Sequence, residues 1–576
     1  MRCAGALVAA LIARGVSHFV VSSGSRCAPL VLAVGHHPEA QIWTNPDERS
    51  AGFIALGISR AARAPAALIC TSGTAAANYL PAVVEARMSR IPLLVLTADR
   101  PPRLRGVGAA QTIDQIDLYG SYSLYCDDLP TPEAAADRAF DWCASAAAAY
   151  DHCLNESGPV HLNLGFDEPL IPEPGAVEEI LHDAFAIGVP PHERSEVGHR
   201  LEEIGWTSLV SVLEKATRPV IVCGPNDSAD ECAGVVAALA NSLGAPILAD
   251  IASPGRRVGE TVAHYDLFLR DPDIARTLQA DFVLRMGGLP TSKTLNEWLA
   301  SLHVPILAIA PFEIADPWRS VTHPVEARIG GAILELERRL PDSRNSGAYR
   351  DLWTQAEAAA RHEWQEIRQE EADTLSEIDI PARVIEILSG SDIIYLSSSM
   401  PIRWADMYAG SRVGFPRVQA NRGANGIDGI ISSAAGAAIG EEKTVWCVVG
   451  DLAFYHDHNG LWGLAGREIP LKIVLINNRG GGIFDHLPIS EHESVYEPYV
   501  AMPHNVDFAA IARAFGVTHT YVGTRSQLSA ALTAAAERPG AEIIEIGCER
   551  TKSHARHQDA MNRISARVRQ VLPATA

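Results

Sequence analysis

Short unbroken runs of β-branched and aliphatic residues recur along the chain. Each is followed by a Gly- or Ser-bearing turn and then by an Ala-rich stretch of helical period. Apolar runs without alternation mark strands covered on both faces, and helices between them make β-α units on parallel sheets. The rhythm occupies three zones. In the first, strands are predicted at 18–22, 42–43, 67–70 and 93–97, with helices at 51–62 and 75–88. In the second, strands are predicted at 219–223, 246–249, 282–285 and 305–309; in the third, at 393–396, 444–449, 472–476 and 542–546. The polar, Pro-containing stretch 175–200 reads as a first linker, and the charged stretch 341–379 as a connecting helix with a polar face. No short-period repeat or low-complexity tract interrupts this pattern. Three α/β domains are therefore expected, at 1–180, 195–345 and 375–576.

Composition narrows the function classes. The 576 residues are 47% hydrophobic and 20% charged, as in an ordinary globular protein. With 48 basic against 69 acidic side chains the formal net charge is −21, which argues against a nucleic-acid or anionic-membrane surface. An anionic substrate would need a local cluster of cations set against that field. The 10 cysteines are scattered without C-x-x-C spacing, so neither a zinc site nor a disulfide framework is indicated. The opening MRCAGALVAALIARGVSHF reads as an amphipathic helix rather than a signal peptide, and no run is long and apolar enough to span a membrane. A cytoplasmic enzyme is the expectation.

The densest chemistry lies in GDLAFYHDHNGLWGLAGREIPLKIVLINNRGGGIF, residues 450–484. Asp451 follows the strand at 444–449, and Asn477-Asn478 follow the strand at 472–476, with one crossover helix predicted between them. Right-handed β-α-β geometry brings both strand ends to the same sheet edge, where ligands of open α/β sheets bind. The Asp451 carboxylate, the Asn478 carboxamide oxygen and a main-chain carbonyl at Gly480 make a hard oxygen set suited to Mg²⁺ or Mn²⁺, with positions left over for phosphate oxygens. Separately, an Asp after a strand is a common cap and Asn-Asn a common turn. His456 and His458 are read as helix-start residues rather than ligands. Jointly, across one β-α-β unit, the acid and the asparagines resemble the diphosphate signature of thiamine diphosphate enzymes.

That resemblance implies a second half-site. In the superfamily a glutamate hydrogen-bonds the aminopyrimidine and so activates the cofactor. Glu48, in AQIWTNPDERSAGFIALGISRAA between a strand and a helix, is the matching residue. A Glu there could otherwise serve the helix dipole. The cofactor must also be bent over an apolar wedge, and NRGANGIDGIISSAAGAAIG offers Ile427, with Asn425 and Gly426 beside it on a Gly-rich loop. Because the glutamate and the diphosphate site come from different subunits in the superfamily, the resemblance implies a homodimer or a dimer of dimers.

Several blocks point to one family. SSGSRCAPL, NPDERSAGFIALG, TSGTAAANYLPAVVEA, LTADRPPRLRGVGAAQTIDQ, NRGANGIDGIISSAAG and GDLAFYHDHNGL resemble the 2-succinyl-5-enolpyruvyl-6-hydroxy-3-cyclohexene-1-carboxylate synthases of menaquinone biosynthesis, in order and along nearly the whole chain. The resemblance implies three doubly wound parallel-sheet domains, for pyrimidine, centre and diphosphate. It implies decarboxylation of 2-oxoglutarate on thiamine diphosphate and 1,4-addition of the succinyl unit to isochorismate. Both substrates are dicarboxylates, and Arg26, Arg100, Lys293, Arg403 and Arg422 all follow predicted strand ends. By resemblance Ser25, Arg26, Gln111, Ser399, Arg403 and Arg422 fall on substrate-site positions, with Ile483, Phe484 and Leu487 as the apolar wall. Glu48, Gln111, Arg26 and Arg403 form the catalytic set, and Ser399 also faces the cofactor. The chain departs from the family pattern at Ala110, Gly165, Asp167, Thr294, Arg479, Met502 and Asn505. A simple 2-oxo acid decarboxylase, an acetohydroxyacid synthase-like enzyme and a non-catalytic thiamine-fold binding protein are the rival readings. A nicotinamide enzyme is disfavoured, because VIVCGPNDSADE lacks G-x-G-x-x-G.

Overall fold

The computed structural model describes residues 1–132, 138–188, 206, 210–226, 232–340, 347–370 and 373–573. They form three parallel sheets. The first holds β1 (His18–Ser22), β2 (Gln41–Thr44), β3 (Ala66–Cys70), β4 (Leu93–Asp99), β5 (Cys126–Leu129) and β6 (Pro159–Gly165) in the order β2-β1-β3-β4-β6-β5. The second holds β7 (Pro219–Cys223), β8 (Ile247–Ala249), β9 (Phe282–Met286), β10 (Ile306–Ala310) and β11 (His323–Glu326) in the order β11-β10-β9-β7-β8. The third holds β12 (Ile393–Leu396), β13 (Arg417–Gln419), β14 (Val445–Gly450), β15 (Leu471–Asn477), β16 (Thr518–Val522) and β17 (Glu542–Gly547) in the order β13-β12-β14-β15-β17-β16. The first and third sheets therefore share one topology, with the strand order reversing beside their first-formed strands.

Two helices form a common layer between those sheets. Glu48–Ala62 and Ile430–Glu441 cross with their main chains touching: a Cβ on Gly57 would lie 2.1 Å from the Ser433 carbonyl oxygen, and one on Gly436 would lie 2.1 Å from that of Ile54. Larger residues there would force the helices apart. One continuous core accordingly joins Val20, Leu68 and Val95 of the first sheet to Ile393, Val449 and Ile473 of the third. The second sheet docks elsewhere. Its Val220, Val222 and Val283 pack with Trp353 of the Ala348–Glu370 helix, with Trp404 of the Met400–Tyr408 helix and with the C-terminal helix Arg550–Val571. A buried clasp secures that junction. Arg256 Nη2 donates to the Asp406 carboxylate at 3.0 Å and to the Asp406 carbonyl at 2.7 Å, and the Tyr265 hydroxyl donates to the same carboxylate at 3.1 Å.

Three sequence expectations change. The stretch 175–200 does not begin as a linker: Val177–Phe185 is a helix whose Val177, Leu181 and Ala184 are buried, the first two in the core around the N-terminal helix Arg2–Ala13; residues 189–200 lie outside the described residues. The helix expected at 75–88 is two, Thr74–Asn78 and Leu80–Ser89, joined at Tyr79. The crossover between β14 and β15 is a short helix, Asp451–His456, followed by 3₁₀ turns at His458–Leu461 and Ala465–Arg467. His456 thus closes a helix rather than opening one, and it meets Arg49 of the shared layer across 3.3 Å.

Candidate active site

The acid and the asparagines meet at the C-terminal edge of the third sheet. Asp451 opens the helix after β14, is 2% exposed, and accepts from the Leu452 N–H at 2.7 Å. Its other oxygen accepts from the Gly480 N–H at 3.1 Å, and that same N–H lies 3.2 Å from Asn478 Oδ1. One donor shared by two side-chain oxygens means that those oxygens converge. Gly480 itself has φ +154°, and a Cβ there would lie 2.5 Å from the Ala501 carbonyl oxygen, so only glycine fits. Among the described residues no group of three or more His, Cys, Asp and Glu gathers as a metal site. The Asp451 carboxylate and the Asn478 carboxamide oxygen are the donors here that could hold a hard, oxygen-loving cation, while the Gly480 carbonyl accepts from the Gly482 N–H at 3.0 Å.

Two residues not singled out from the sequence complete this corner. His504 Nε2 stands 3.3 Å from Asp451 Oδ2, while its Nδ1 accepts from the Val506 N–H. Glu377, 6% exposed, accepts from Asn478 Nδ2 at 2.9 Å; burial pushes its carboxyl up to about 7, and the Asp451 and Asp485 carboxylates add to the rise against the Asn478 hydrogen bond. Neither carries a readable signal: Glu377 sits in a charged segment and His504 in an irregular stretch between helices.

The cations fall into two pairs. Arg26, at the end of β1, donates to the Phe166 carbonyl at 3.0 Å; burial and then the nearby Arg100 hold its guanidinium below its ordinary value. Arg100, after β4, donates to Ser72 and to the Ala110 carbonyl. In the third domain, burial and then Arg422 likewise depress Arg403, whose Nη1 donates to the Ser399 carbonyl. Burial also lowers Arg422, and its Nη1 is buried without a hydrogen-bond partner. Two guanidinium groups near enough for one to depress the other, with a buried donor left over, suit an anion. Lys293 stands apart: it is exposed and paired with Glu297 at 3.4 Å. Its neighbour Ser292 donates to Asp266, the carboxylate that favours the charged form of Arg403, so Lys293 borders the same domain junction.

The remaining candidates cluster in backbone strain. Gln111, Ser399 and Asn425 have φ of 54°, 74° and 62°, a region that L side chains adopt at a cost, and such strain collects at functional sites. Ser399 precedes the Met400–Tyr408 helix but makes no side-chain capping bond, and the exposed Ser25 opens a 3₁₀ turn whose N-cap is Gly24, so neither is the cap that a strand-end serine suggests. Gln111 is exposed and donates to the Ser72 carbonyl at 3.1 Å, bringing it to the residue that Arg100 holds. Ile427 and Leu487 are exposed, by 40% and 46%. Gly426 lies beside Ile427, Phe484 is half-buried, and Ile483 packs against the core that holds Trp404. Glu48 is half-buried at the start of its helix, and Asn78 Nδ2 lies 3.4 Å from it. Of the family departures, Asp167 is explained by a bidentate pair with Arg103, at 2.6 and 3.2 Å.

Comparison with known proteins places this geometry. Residues 1–118 match the N-terminal thiamine pyrophosphate binding domain of thiamine pyrophosphate enzymes, residues 202–396 their middle domain, and residues 404–546 their C-terminal binding domain. A 2-succinyl-5-enolpyruvyl-6-hydroxy-3-cyclohexene-1-carboxylate synthase of Geobacillus kaustophilus (strain HTA426) is 37% identical, over 99% of this chain and 98% of its own. Synthases of the same name from Chloroflexus aurantiacus and Halobacterium salinarum are each 38% identical, over 96% and 98% of this chain and 94% and 98% of theirs. The chain belongs to this synthase family. It is a thiamine diphosphate-dependent carboligating enzyme built from the family's three α/β domains. Among the described residues no helix is long and apolar enough to cross a membrane.

Proposed function

We propose that this chain decarboxylates 2-oxoglutarate and adds the remaining succinyl unit to isochorismate, giving 2-succinyl-5-enolpyruvyl-6-hydroxy-3-cyclohexene-1-carboxylate for menaquinone biosynthesis. The observation that carries the reading is that Arg403 and Arg422 follow the neighbouring strands β12 and β13, Arg422 with a buried Nη1 that lacks a partner, at the same sheet edge as the converging oxygens of Asp451 and Asn478. A pocket for a plain 2-oxo acid needs one carboxylate partner; a pocket for two dicarboxylates needs several.

In this reading Asp451, Asn478 and the Gly480 carbonyl hold Mg²⁺ or Mn²⁺, and Asn425, Gly426, Ile427 and Ser399 line the cofactor. Bound thiamine diphosphate supplies the nucleophilic carbon and the electron sink. Glu48 holds a proton at the aminopyrimidine N1′. Arg26, Arg100, Arg403 and Arg422 bind and orient the carboxylates, each charged hydrogen bond contributing about 1.5–3 kcal/mol. Gln111, Ser25 and Lys293 contact substrate, and Ile483, Phe484 and Leu487 keep water from the carbon that CO₂ leaves. The domains run 1–180, 195–345 and 375–576, and the enzyme works in the cytoplasm.

The partly exposed Ile427 and the loosely held Glu48 support a site completed by a second copy of the chain, in a homodimer or a dimer of dimers. CO₂ release from 2-oxoglutarate, with thiamine diphosphate and Mg²⁺, should accelerate strongly when isochorismate is added, with both substrates consumed. Release indifferent to isochorismate, or faster with pyruvate, would overturn the substrate assignment. Subunit sharing has its own test. Unfolding and refolding inactive Glu48→Gln and Asp451→Ala chains together should restore about a quarter of wild-type activity, because half the random dimers then own one intact site of two. No recovery from a properly refolded mixture means that each site is made by one chain.

A further inference from the structure

The two asparagines after β15 are each backed by a glutamate. Asn477 Nδ2 donates to Glu545 Oε1 at 2.7 Å while its Oδ1 lies 3.2 Å from the Arg479 N–H. Asn478 Nδ2 donates to Glu377 Oε2 at 2.9 Å while its Oδ1 lies 3.2 Å from the Gly480 N–H. A carboxamide has two ends of nearly equal shape and opposite chemistry, and only its oxygen can bind a cation. Here Glu377 Oε2 is the acceptor, so it engages the NH₂ end of Asn478 and leaves the amide oxygen turned the other way. Only Asn478 shares its N–H donor with Asp451, so only its orientation matters to a cation there.

Glu377 is fitted for such selection. It lies before the Ile380–Ile387 helix, and its main-chain N–H donates to Ser553 Oγ at 3.4 Å, in the first turn of the C-terminal helix. The turn above leaves the amide little room, since a Cβ on Gly482 would lie 2.6 Å from Asn478 Nδ2. The charged neighbours that act on Glu377 are the carboxylates Asp451 and Asp485. A desolvated acid set beside other acids lowers the stability of the empty protein.

We propose that Glu377 is a positioning residue for the metal: it holds the Asn478 carboxamide with Oδ1 turned toward Asp451 and Gly480. The inference rests on the reading of Asp451, Asn478 and Gly480 as the metal ligands. Partners behind a ligand generally change metal affinity by about 10- to 100-fold.

The test is Mg²⁺ titration of the apoprotein at saturating thiamine diphosphate, followed by calorimetry, with thermal unfolding of the apoprotein beside it. Glu377→Met should weaken Mg²⁺ about 10- to 100-fold while leaving the apoprotein equally or more stable. Glu377→Gln keeps an acceptor oxygen and should recover most of the affinity. Asn478→Asp supplies the decisive background, because the two oxygens of a carboxylate are equivalent and need no sorting. In that background Glu377→Met should leave Mg²⁺ affinity unchanged or raise it. Equal weakening in both backgrounds, or loss of apoprotein stability with Mg²⁺ affinity untouched, overturns the proposal. Asp451→Ala separates the two levels. If it leaves Mg²⁺ binding intact, the ligand assignment itself falls; if it abolishes binding while Glu377→Met does not weaken it, the positioning role alone falls.

Discussion

The end of the third sheet and the end of the first are built on one topology and finished differently. At the third, Asp451 and Asn478 share a single N–H, Gly480 is wedged against Ala501, Glu377 accepts from Asn478 and His504 stands beside Asp451. At the first, Glu48 has a 3.4 Å contact with Asn78, and Gln111 lies exposed. A hard cation needs oxygens already converged, because each ligand left to chance costs orientation entropy on binding. A flat ring pressed between two surfaces needs only that the surfaces meet. One half is therefore tightly held within the chain, and under the proposed reading the other would be completed by a second copy.

Glu48→Gln breaks the comparison hardest. Exchange of the thiazolium C2 proton should slow by about 10²–10⁴-fold, with Mg²⁺-dependent cofactor affinity changed only a few-fold. Proton exchange at the wild-type rate would remove Glu48 from the chemistry. Stability against pH gives the next largest effect. His161, in β6, is buried against Thr97, and burial lowers its pKa to about 4. Its folded value lies below the unfolded value, so the stability that it confers is complete above about pH 6.5 and is lost as pH falls toward 4. The loss amounts to about 3 kcal/mol. Asp457, which accepts from Ser50 and Ser432 in the layer between the sheets, is raised by burial to about 6 and acts in the opposite sense, losing stability as pH rises from about 4 to 6. Urea unfolding of His161→Gln across pH 4 to 7 should show a smaller acid-side loss than wild type; an unchanged slope refutes the buried neutral imidazole.

Two substitutions sharpen the comparison by smaller amounts. Arg422→Gln should raise the KM for 2-oxoglutarate or isochorismate about 10- to 100-fold, the equivalent of one charged hydrogen bond of about 1.5–3 kcal/mol, and leave cofactor binding intact. Equal loss of cofactor binding would make Arg422 a clamp on the loop rather than a substrate contact. Gly480→Ala adds a Cβ at a φ of +154° against the Ala501 carbonyl. It should cost about 1–3 kcal/mol at that turn, read as roughly tenfold weaker Mg²⁺. The same change at the open Gly106 should leave Mg²⁺ affinity unaltered.

The strands most readable from the sequence are those covered on both faces, such as β4 and β14, whose runs are continuous and apolar. The strands that escaped it are mainly sheet edges, β5, β11, β13 and β16, where one side lacks a neighbour and polar residues are tolerated. β6 escaped for a different reason. It lies inside the first sheet, yet carries His161 and Asn163, which are buried only because Thr97, Asp99 and Asp128 supply their hydrogen bonds from neighbouring strands. Such satisfaction is long-range and leaves no local pattern.

By itself the sequence determined the three β-α rhythms, the placing of Asp451 and Asn478 at strand ends, and the family blocks around Glu48, Arg26, Arg403 and Arg422. All of these are local properties: the period of apolar residues, the residue after a strand, the order of short motifs. The tertiary structure alone decided which oxygens converge on the Gly480 N–H, that Arg422 lies close enough to Arg403 to depress it, and that Glu377, 101 positions before it, accepts from the Asn478 amide. Asp451 and Gly480 are 29 positions apart and Glu377 and Asn478 are 101 apart, and which atoms meet across such separations is set by how the strands and loops between them pack, not by any local pattern.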